Sequence, residues 1–179
     1  MDSKLQIISG KWRGRKLNIP VDARPTQNRA RMALFNMLES LGIRPNFVWD
    51  AFAGSGAFGI ECLSRYDSNV IFTDKSQDSI KTIQSNLKNI VGKFSVEKTN
   101  AMDVIKKYGS HSDLIFIDPP YSETDIGMAF VQRLFGVVNS GTILIWEIEN
   151  DKFEKIPDIW DILRDKKYGR ARFLILKKA

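Results

Sequence analysis

The chain has 179 residues, 43% of them hydrophobic and 11% aromatic, which suffices for the core of one domain. One cysteine, Cys62, excludes an internal disulfide, and the absence of a signal-like start or of any window near 18 uncharged apolar residues leads us to expect a soluble, cytoplasmic protein. The net charge is +6, and residues 1–45 carry all of it: nine Lys or Arg against three Asp or Glu, leaving 18 of the 27 bases and 18 of the 21 acids elsewhere. Such asymmetry points to a neutral working domain preceded by a segment suited to phosphates.

The stretch "LQIISGKWRGRKLNIP" alternates apolar and polar residues about "GKWRG" and predicts a β-hairpin, with Trp12 set among Lys11, Arg13, Arg15 and Lys16. In "RPTQNRARMALFNMLESLG" the residues Ala30, Ala33, Leu34, Met37, Leu38 and Leu41 form an apolar stripe at helical spacing, with Thr26 as N-cap and Gly42 as the stop. Hairpin and helix make a basic N-terminal unit, residues 1–45, packed on a main unit, residues 46–179.

From Phe47 onward the apolar runs "FVWDA", "NVIFTD", "FSVEK", "DLIFID" and "TILIWEIE" alternate with helical patterns. In one of these patterns Ile80, Ile83, Leu87, Ile90 and Val91 share a face. Strands apolar on both sides and separated by helices predict an α/β fold with a doubly wound, mostly parallel sheet. At the end "IWDILRD" and "RARFLILKK", joined by "KKYG", predict an antiparallel hairpin. Five βα units and this hairpin give a seven-stranded sheet.

Gly54, Gly56 and Gly59 of "WDAFAGSGAFGIE" fall in a GxGxxG pattern between a predicted strand and a helix, a cradle of the dinucleotide type. Asp74 ends the next strand 18 residues past Gly56, where a carboxylate takes ribose hydroxyls. The pattern suits either NAD or S-adenosylmethionine. Asp50, just before the turn, discriminates between them: it would repel a pyrophosphate and favour an ammonium or sulfonium. Its structural alternative is contact with the helix N-terminus across the turn.

The last motif is "IDPPY", residues 117–121, whose strand should adjoin the first strand at the topological switch point, where ligands bind. Pro119 and Pro120 stiffen the loop. The Asp118 carboxylate and the Pro119 carbonyl then form two acceptors suited to an exocyclic NH2 of a nucleobase, with Tyr121 as a stacking face. Pulling on both amine hydrogens turns the nitrogen lone pair towards an electrophilic methyl. Guanine N2, adenine N6 and cytosine N4, in RNA or DNA, all fit this logic. His111, the only histidine, lies in the turn "YGSHSD" and supplies neither a metal cluster nor His-based catalysis.

In this order "DAFAGSGAFGIE", Asp74, "NAMD" and "DPPY" resemble the class I S-adenosylmethionine-dependent amino methyltransferases, a Rossmann-like fold. Adding "IISGKWRGRKL", "RPTQNRARMALFNML" and "GRARFLIL", nearly the whole chain is similar to the bacterial RsmD-type 16S rRNA guanine-N2 methyltransferases. The resemblance implies that Asp50, Phe52, Ala53, Gly54, Ser55 and Gly56 hold the methionine part of S-adenosyl-L-methionine and Asp74 its ribose. Lys75, Ala101 and Met102 flank the adenine, supported by Asn100, with Asp103 at the margin. Asp118, Pro119, Pro120 and Tyr121 form the target-amine site, and Arg24, Thr26 and Arg29 close over cofactor or nucleotide. Its partner is ribosomal RNA, free or within an assembling small subunit, met by a monomer without a membrane. The RNA surface falls to Lys11, Trp12, Arg13, Arg15 and Lys16, with Arg170 and Arg172 as either RNA contacts or charged protection of an edge strand. The competing readings are an adenine-N6 methyltransferase, an NAD-dependent oxidoreductase, which Asp50 disfavours, and a non-catalytic RNA-binding scaffold.

Overall fold

The computed structural model describes residues 5–21, 23, 26–120, 124–149 and 158–179, and of Thr124 and Asp125 the backbone only. Twelve elements follow one another as α1 (Asn28–Ser40), β1 (Phe47–Asp50), α2 (Ala57–Tyr66), β2 (Asn69–Asp74), α3 (Gln77–Leu87), β3 (Phe94–Lys98), α4 (Ile105–Gly109), β4 (Leu114–Ile117), α5 (Thr124–Phe135), β5 (Ile143–Glu149), β6 (Trp160–Tyr168) and β7 (Ala171–Lys178). The seven strands form one sheet in the order β3-β2-β1-β4-β5-β7-β6. The strands β1 to β5 pair in parallel, and β7 runs antiparallel between β5 and β6. This is the doubly wound sheet that the alternating pattern predicts. The link that follows β5 lies largely outside the described residues, so the structure describes four of the five expected βα units. The closing hairpin turns at Gly169 and Arg170, with "KKY" inside β6.

Each face of the sheet has its own core. On one, Val48, Phe72, Leu114, Phe116, Ile145 and Phe173 pack against Leu34, Phe35 and Leu38 of α1, Phe58 and Leu63 of α2 and Ile83 of α3. On the other, Trp49, Ile115, Ile117, Leu144 and Trp146 pack against Phe130, Val131 and Leu134 of α5 and Ile105 of α4. The buried "LIFI" of β4 shows why that strand reads as an unbroken apolar run: helices cover it on both sides.

Local signals shift some boundaries. Thr26 does not cap α1: Gln27 precedes the helix without a side-chain cap bond, and the Thr26 hydroxyl instead donates to Glu147 Oε2 at 2.7 Å. The buried face of α1 includes Arg31 and Phe35, while Ala33 and Leu41 are only half-buried. At the other end Gly42 N–H donates to Glu39 O and Ile43 N–H to Leu38 O, the paired bonds of a Schellman stop. The helix α3 ends at Leu87, and the turn through Asn89 at φ +63° leaves Val91 exposed, off the apolar face.

The N-terminal hairpin forms around a single antiparallel bridge, Gln6 to Lys16, with Ile7 N–H donating to Arg15 O and Leu17 N–H to Leu5 O, both at 2.9 Å. Glu61 fastens it to α2. This fully buried carboxylate accepts from Ile8 N–H and Ser9 N–H at 2.9 Å each, pairs with Arg65 Nε at 2.8 Å and lies 3.8 Å from Arg31 Nε. Removing one partner of such a buried network leaves several donors unmatched. Glu61→Ala should therefore destabilise the protein by about 3–5 kcal/mol in urea unfolding. A loss below about 1 kcal/mol would show that the hairpin and α1 are held by apolar packing alone.

Candidate active site

The sheet order reverses between β1 and β4, and a cavity of about 830 Å³ opens there beyond the carboxyl ends of the strands. Its floor is the glycine turn. Gly54 takes φ +54° and Gly56 φ +76°, the latter as the residue before α2, so the chain can reverse within a few residues. A Cβ at Gly59 would come within 2.3 Å of the Phe72 ring, so glycine lets α2 lie close against β2. Gly56 does not reach the cavity wall; it is buried, facing Ile83 and Phe72. Asn86 holds the turn from behind, donating to Ser55 O at 2.9 Å and to Asn18 O at 3.0 Å.

Asp74 closes one side. Its Oδ2 accepts from Gly54 N–H at 2.9 Å and its Oδ1 from Ser76 N–H at 2.8 Å, so the carboxylate is fixed against the turn. Lys75, Asn100, Ala101 and Met102 continue this wall, and Asn100 Oδ1 accepts from Met102 N–H at 3.0 Å, shaping the loop after β3. Asp103 is exposed and absent from the wall. The opposite wall holds Phe52, Asp118, Pro119 and Pro120, and α1 contributes Arg31 and Leu34. Thus the cavity gathers Asp50, Phe52, Ala53, Gly54, Ser55, Asp74, Lys75, Asn100, Ala101, Met102 and the Asp118–Pro120 loop, all read from sequence as site residues. Tyr121 and Arg24 lie outside the described residues.

Asp50 carries both of the roles weighed for it. Its Oδ2 accepts from Gly59 N–H at 3.0 Å, in the first turn of α2, while Oδ1 is buried at the cavity without a hydrogen-bond partner. Burial pushes its pKa up to about 8, with the Gly59 N–H opposing and Asp74 adding to the shift. Asp118 is raised well above the usual range, first by burial and then by Glu147 and Asp50. Glu147, raised to about 7 by burial, is drawn back by the Thr26 hydroxyl and by Arg31.

Glu147 and Arg31 escaped the sequence reading. Both were signalled: Glu147 is an acid inside the apolar run "TILIWEIE", and Arg31 sits three residues before Leu34 on the stripe of α1. Arg31 is 2% exposed, bonds to Gln6 O and Asn28 Oδ1, and leaves Nε and Nη1 without hydrogen-bond partners. Burial lowers its pKa, opposed chiefly by Glu61.

The described basic residues expected to meet RNA lie off the cavity wall. Arg13, Lys16 and Arg29 are exposed. Lys11 pairs with Asp67, and Arg15 donates to the carbonyls of Asn86 and Lys88 at the end of α3. Trp12 packs half-buried against the core, and its backbone N–H donates to Ser64 Oγ at 3.1 Å. Arg170 is exposed, while Arg172 forms a two-pronged pair with Asp165 at 2.7 and 2.5 Å. His111 is exposed with its Nδ1 2.9 Å from Lys107 O, and among the described residues no His, Cys, Asp and Glu group could hold a metal ion. No described helix is long and apolar enough to cross a membrane.

The buried acids set a pH dependence. An unfolded Asp50 titrates near 3.8 and the folded one near 8. Between these values the folded state holds a proton that the unfolded state has lost, so stability of the ligand-free protein falls as pH rises from about 4 to about 8 and then levels. Asp118 and Glu147 act in the same sense. Asp50→Asn should shrink the slope of unfolding free energy between about pH 5 and about pH 8 by up to about 1.4 kcal/mol per pH unit. An unchanged slope in urea titrations would contradict the burial of Asp50 as an acid.

The family model described as "Conserved hypothetical protein 95" matches residues 5–177. Ribosomal RNA small subunit methyltransferase D of Escherichia coli (strain K12) is 31% identical over 188 residues, covering 98% of this chain and 90% of that protein. The protein of the same name from Haemophilus influenzae is 31% identical, covering 93% of this chain and 90% of its own. The solved structure of yhhF from Escherichia coli superimposes with a TM-score of 0.83 at 29% identity, covering 98% of both chains. The chain is therefore a member of the conserved hypothetical protein 95 family, the RsmD-type methyltransferases that its motifs resemble.

Proposed function

We propose that the protein transfers a methyl group from S-adenosyl-L-methionine to the N2 amine of a guanine in small-subunit ribosomal RNA, acting as a cytoplasmic monomer on RNA in an assembling particle. The observation that carries this reading is the juxtaposition of Asp50 and Asp118 on one cavity wall, a buried acid with an unpartnered oxygen beside an acid followed by two prolines. Guanine N2 and the assembling particle follow from the family resemblance, and the acceptor pair from the chemistry of the loop.

The residues present fit the cofactor. The orphan Oδ1 of Asp50 suits a cationic ammonium, which would draw its proton off and repay its burial. The Asp74 carboxylate, held by two N–H groups, keeps lone pairs for ribose hydroxyls. Phe52, Ala53, Gly54 and Ser55 would enclose the methionine part, Gly56 supports that turn from the residue before α2, and Lys75, Asn100, Ala101 and Met102 would flank the adenine. When bound, S-adenosyl-L-methionine supplies an electrophilic methyl on a sulfonium.

The rest is positioning. The Asp118 carboxylate and the Pro119 carbonyl accept the two amine hydrogens and pull the nitrogen towards a tetrahedral shape, with its lone pair directed at the methyl. As the carbon–nitrogen bond formed, the methyl's carbon–sulfur bond would break and leave a neutral thioether, and the amine nitrogen would become cationic and lose one proton to Asp118 or to water. A desolvated carboxylate facing that growing charge stabilises it more than water does. Tyr121 is the proposed stacking face for the base, and Arg24 the proposed closing residue. Arg13, Lys16 and Arg29, which are exposed, are the proposed phosphate contacts, with the exposed Lys11 able to exchange its surface pair for a phosphate.

Asp118→Ala should lower methyl transfer to small-subunit RNA at least about 100- to 1000-fold, as for loss of a preorganised polar group at a reacting centre. Cofactor affinity by titration calorimetry should change much less. Turnover near that of the unaltered protein would refute the amine-site assignment.

A further inference from the structure

We infer that Glu147 reads the N1–H of the target guanine and so selects guanine over bases whose ring nitrogen beside the amine carries no proton. The inference rests on the methyl-transfer reading above and adds to it a residue for base choice.

Register places the group. Ile117 of β4 pairs with Trp146 of β5, so Asp118 and Glu147 come next to each other one step beyond. Phe116 pairs with Ile145, and both side chains lie in the core covered by α1. Alternation along each strand therefore sends Asp118 and Glu147 to that same face. Both line the cavity, and the charge on Glu147 is felt at Asp118. The Glu147 carboxyl feels the charge of the buried Arg31 guanidinium and also lines the cavity beside Asp118. It is 2% exposed and follows four apolar residues of β5, and the Thr26 hydroxyl bonds its Oε2 rather than capping α1.

Chemistry then chooses the base. Guanine offers N1–H and N2–H side by side, two donors on one edge, and two neighbouring carboxyl groups match them. Adenine and cytosine place a lone pair on the ring nitrogen adjacent to the exocyclic amine. Against Glu147 that lone pair meets another acceptor, which leaves a buried acceptor pair unsatisfied. Thr26 and Arg31 favour the charged form of Glu147 that the N1–H requires. The Asp118 loop alone does not make this distinction, since any exocyclic amine satisfies its two acceptors.

The test compares two semisynthetic small-subunit RNAs, carrying guanine or 2-aminopurine at the position that the unaltered protein methylates. 2-Aminopurine keeps the amine but has a bare N1. The unaltered protein should prefer guanine in kcat/KM by at least about 10- to 150-fold, the range for a hydrogen bond to a charged group. Glu147→Gln, nearly isosteric and free of a buried charge, can turn its NH2 towards a bare N1, and should narrow the preference to about threefold or less. Glu147→Asp keeps the charge and should lower turnover while retaining the preference. Thr26→Val loosens the grip on Glu147 and should narrow the preference partway, which covers the case of a Glu147→Gln chain that fails to fold. A preference unchanged in Glu147→Gln, or in Thr26→Val where Glu147→Gln does not fold, overturns the assignment. Nucleoside mass spectrometry of the unaltered reaction separates the two layers. Without N2-methylguanine the methyl-transfer reading itself falls, whereas N2-methylguanine with unmoved preferences removes only the role of Glu147.

Discussion

Asp50, Asp118 and Glu147 occupy the ends of three adjacent strands on one face of the sheet, and burial raises the pKa of each. Three acids in such proximity cannot all ionise without a cation or hydrogen-bond donors to meet them. On the proposal above their positions describe an occupant: a positive group beside Asp50, and amine and ring N–H donors beside Asp118 and Glu147. Without such ligands the acids weaken the fold at neutral pH; with them, the same acids would become the recognition surface.

Two other features exist to hold this arrangement. The close packing at Gly59 brings the start of α2 near enough for its N–H to reach Asp50, so one carboxylate oxygen is fixed and the other is left for the cavity. On the opposite side α1 lies across the strand ends and delivers Thr26 and Arg31 to Glu147. The helix is placed by Glu61, which binds the N-terminal hairpin and both Arg31 and Arg65. The N-terminal segment therefore does more than add positive charge: Thr26, Arg31 and Leu34 complete the cavity wall.

Much of this was legible in residue order. The run "LIFI", the glycine spacing and Asp74 specify strands, a turn and a wall through short-range rules, and the structure assembles them into one cavity. The apolar stripe of α1 located the helix but not its full face, since Arg31 is buried by ion pairing that periodicity does not register. Thr26 looked like a cap because it precedes a helix, yet its partner lies 121 residues away on β5. Trp12 looked like a stacking ring because it stands among cations, and only the structure shows it packed half-buried against the core. Residues whose roles depend on local turns were readable; those whose roles depend on a partner across the sheet were not.

The central claim is that this cavity delivers a methyl group to a guanine amine. Its most direct test is incubation with S-adenosyl-L-methionine labelled in the methyl group and small-subunit RNA from cells lacking the protein, both free and in particles, followed by digestion and nucleoside mass spectrometry. The account predicts label in N2-methylguanine at a single position. Label in N6-methyladenine, or none in either form while the cofactor binds, would contradict it.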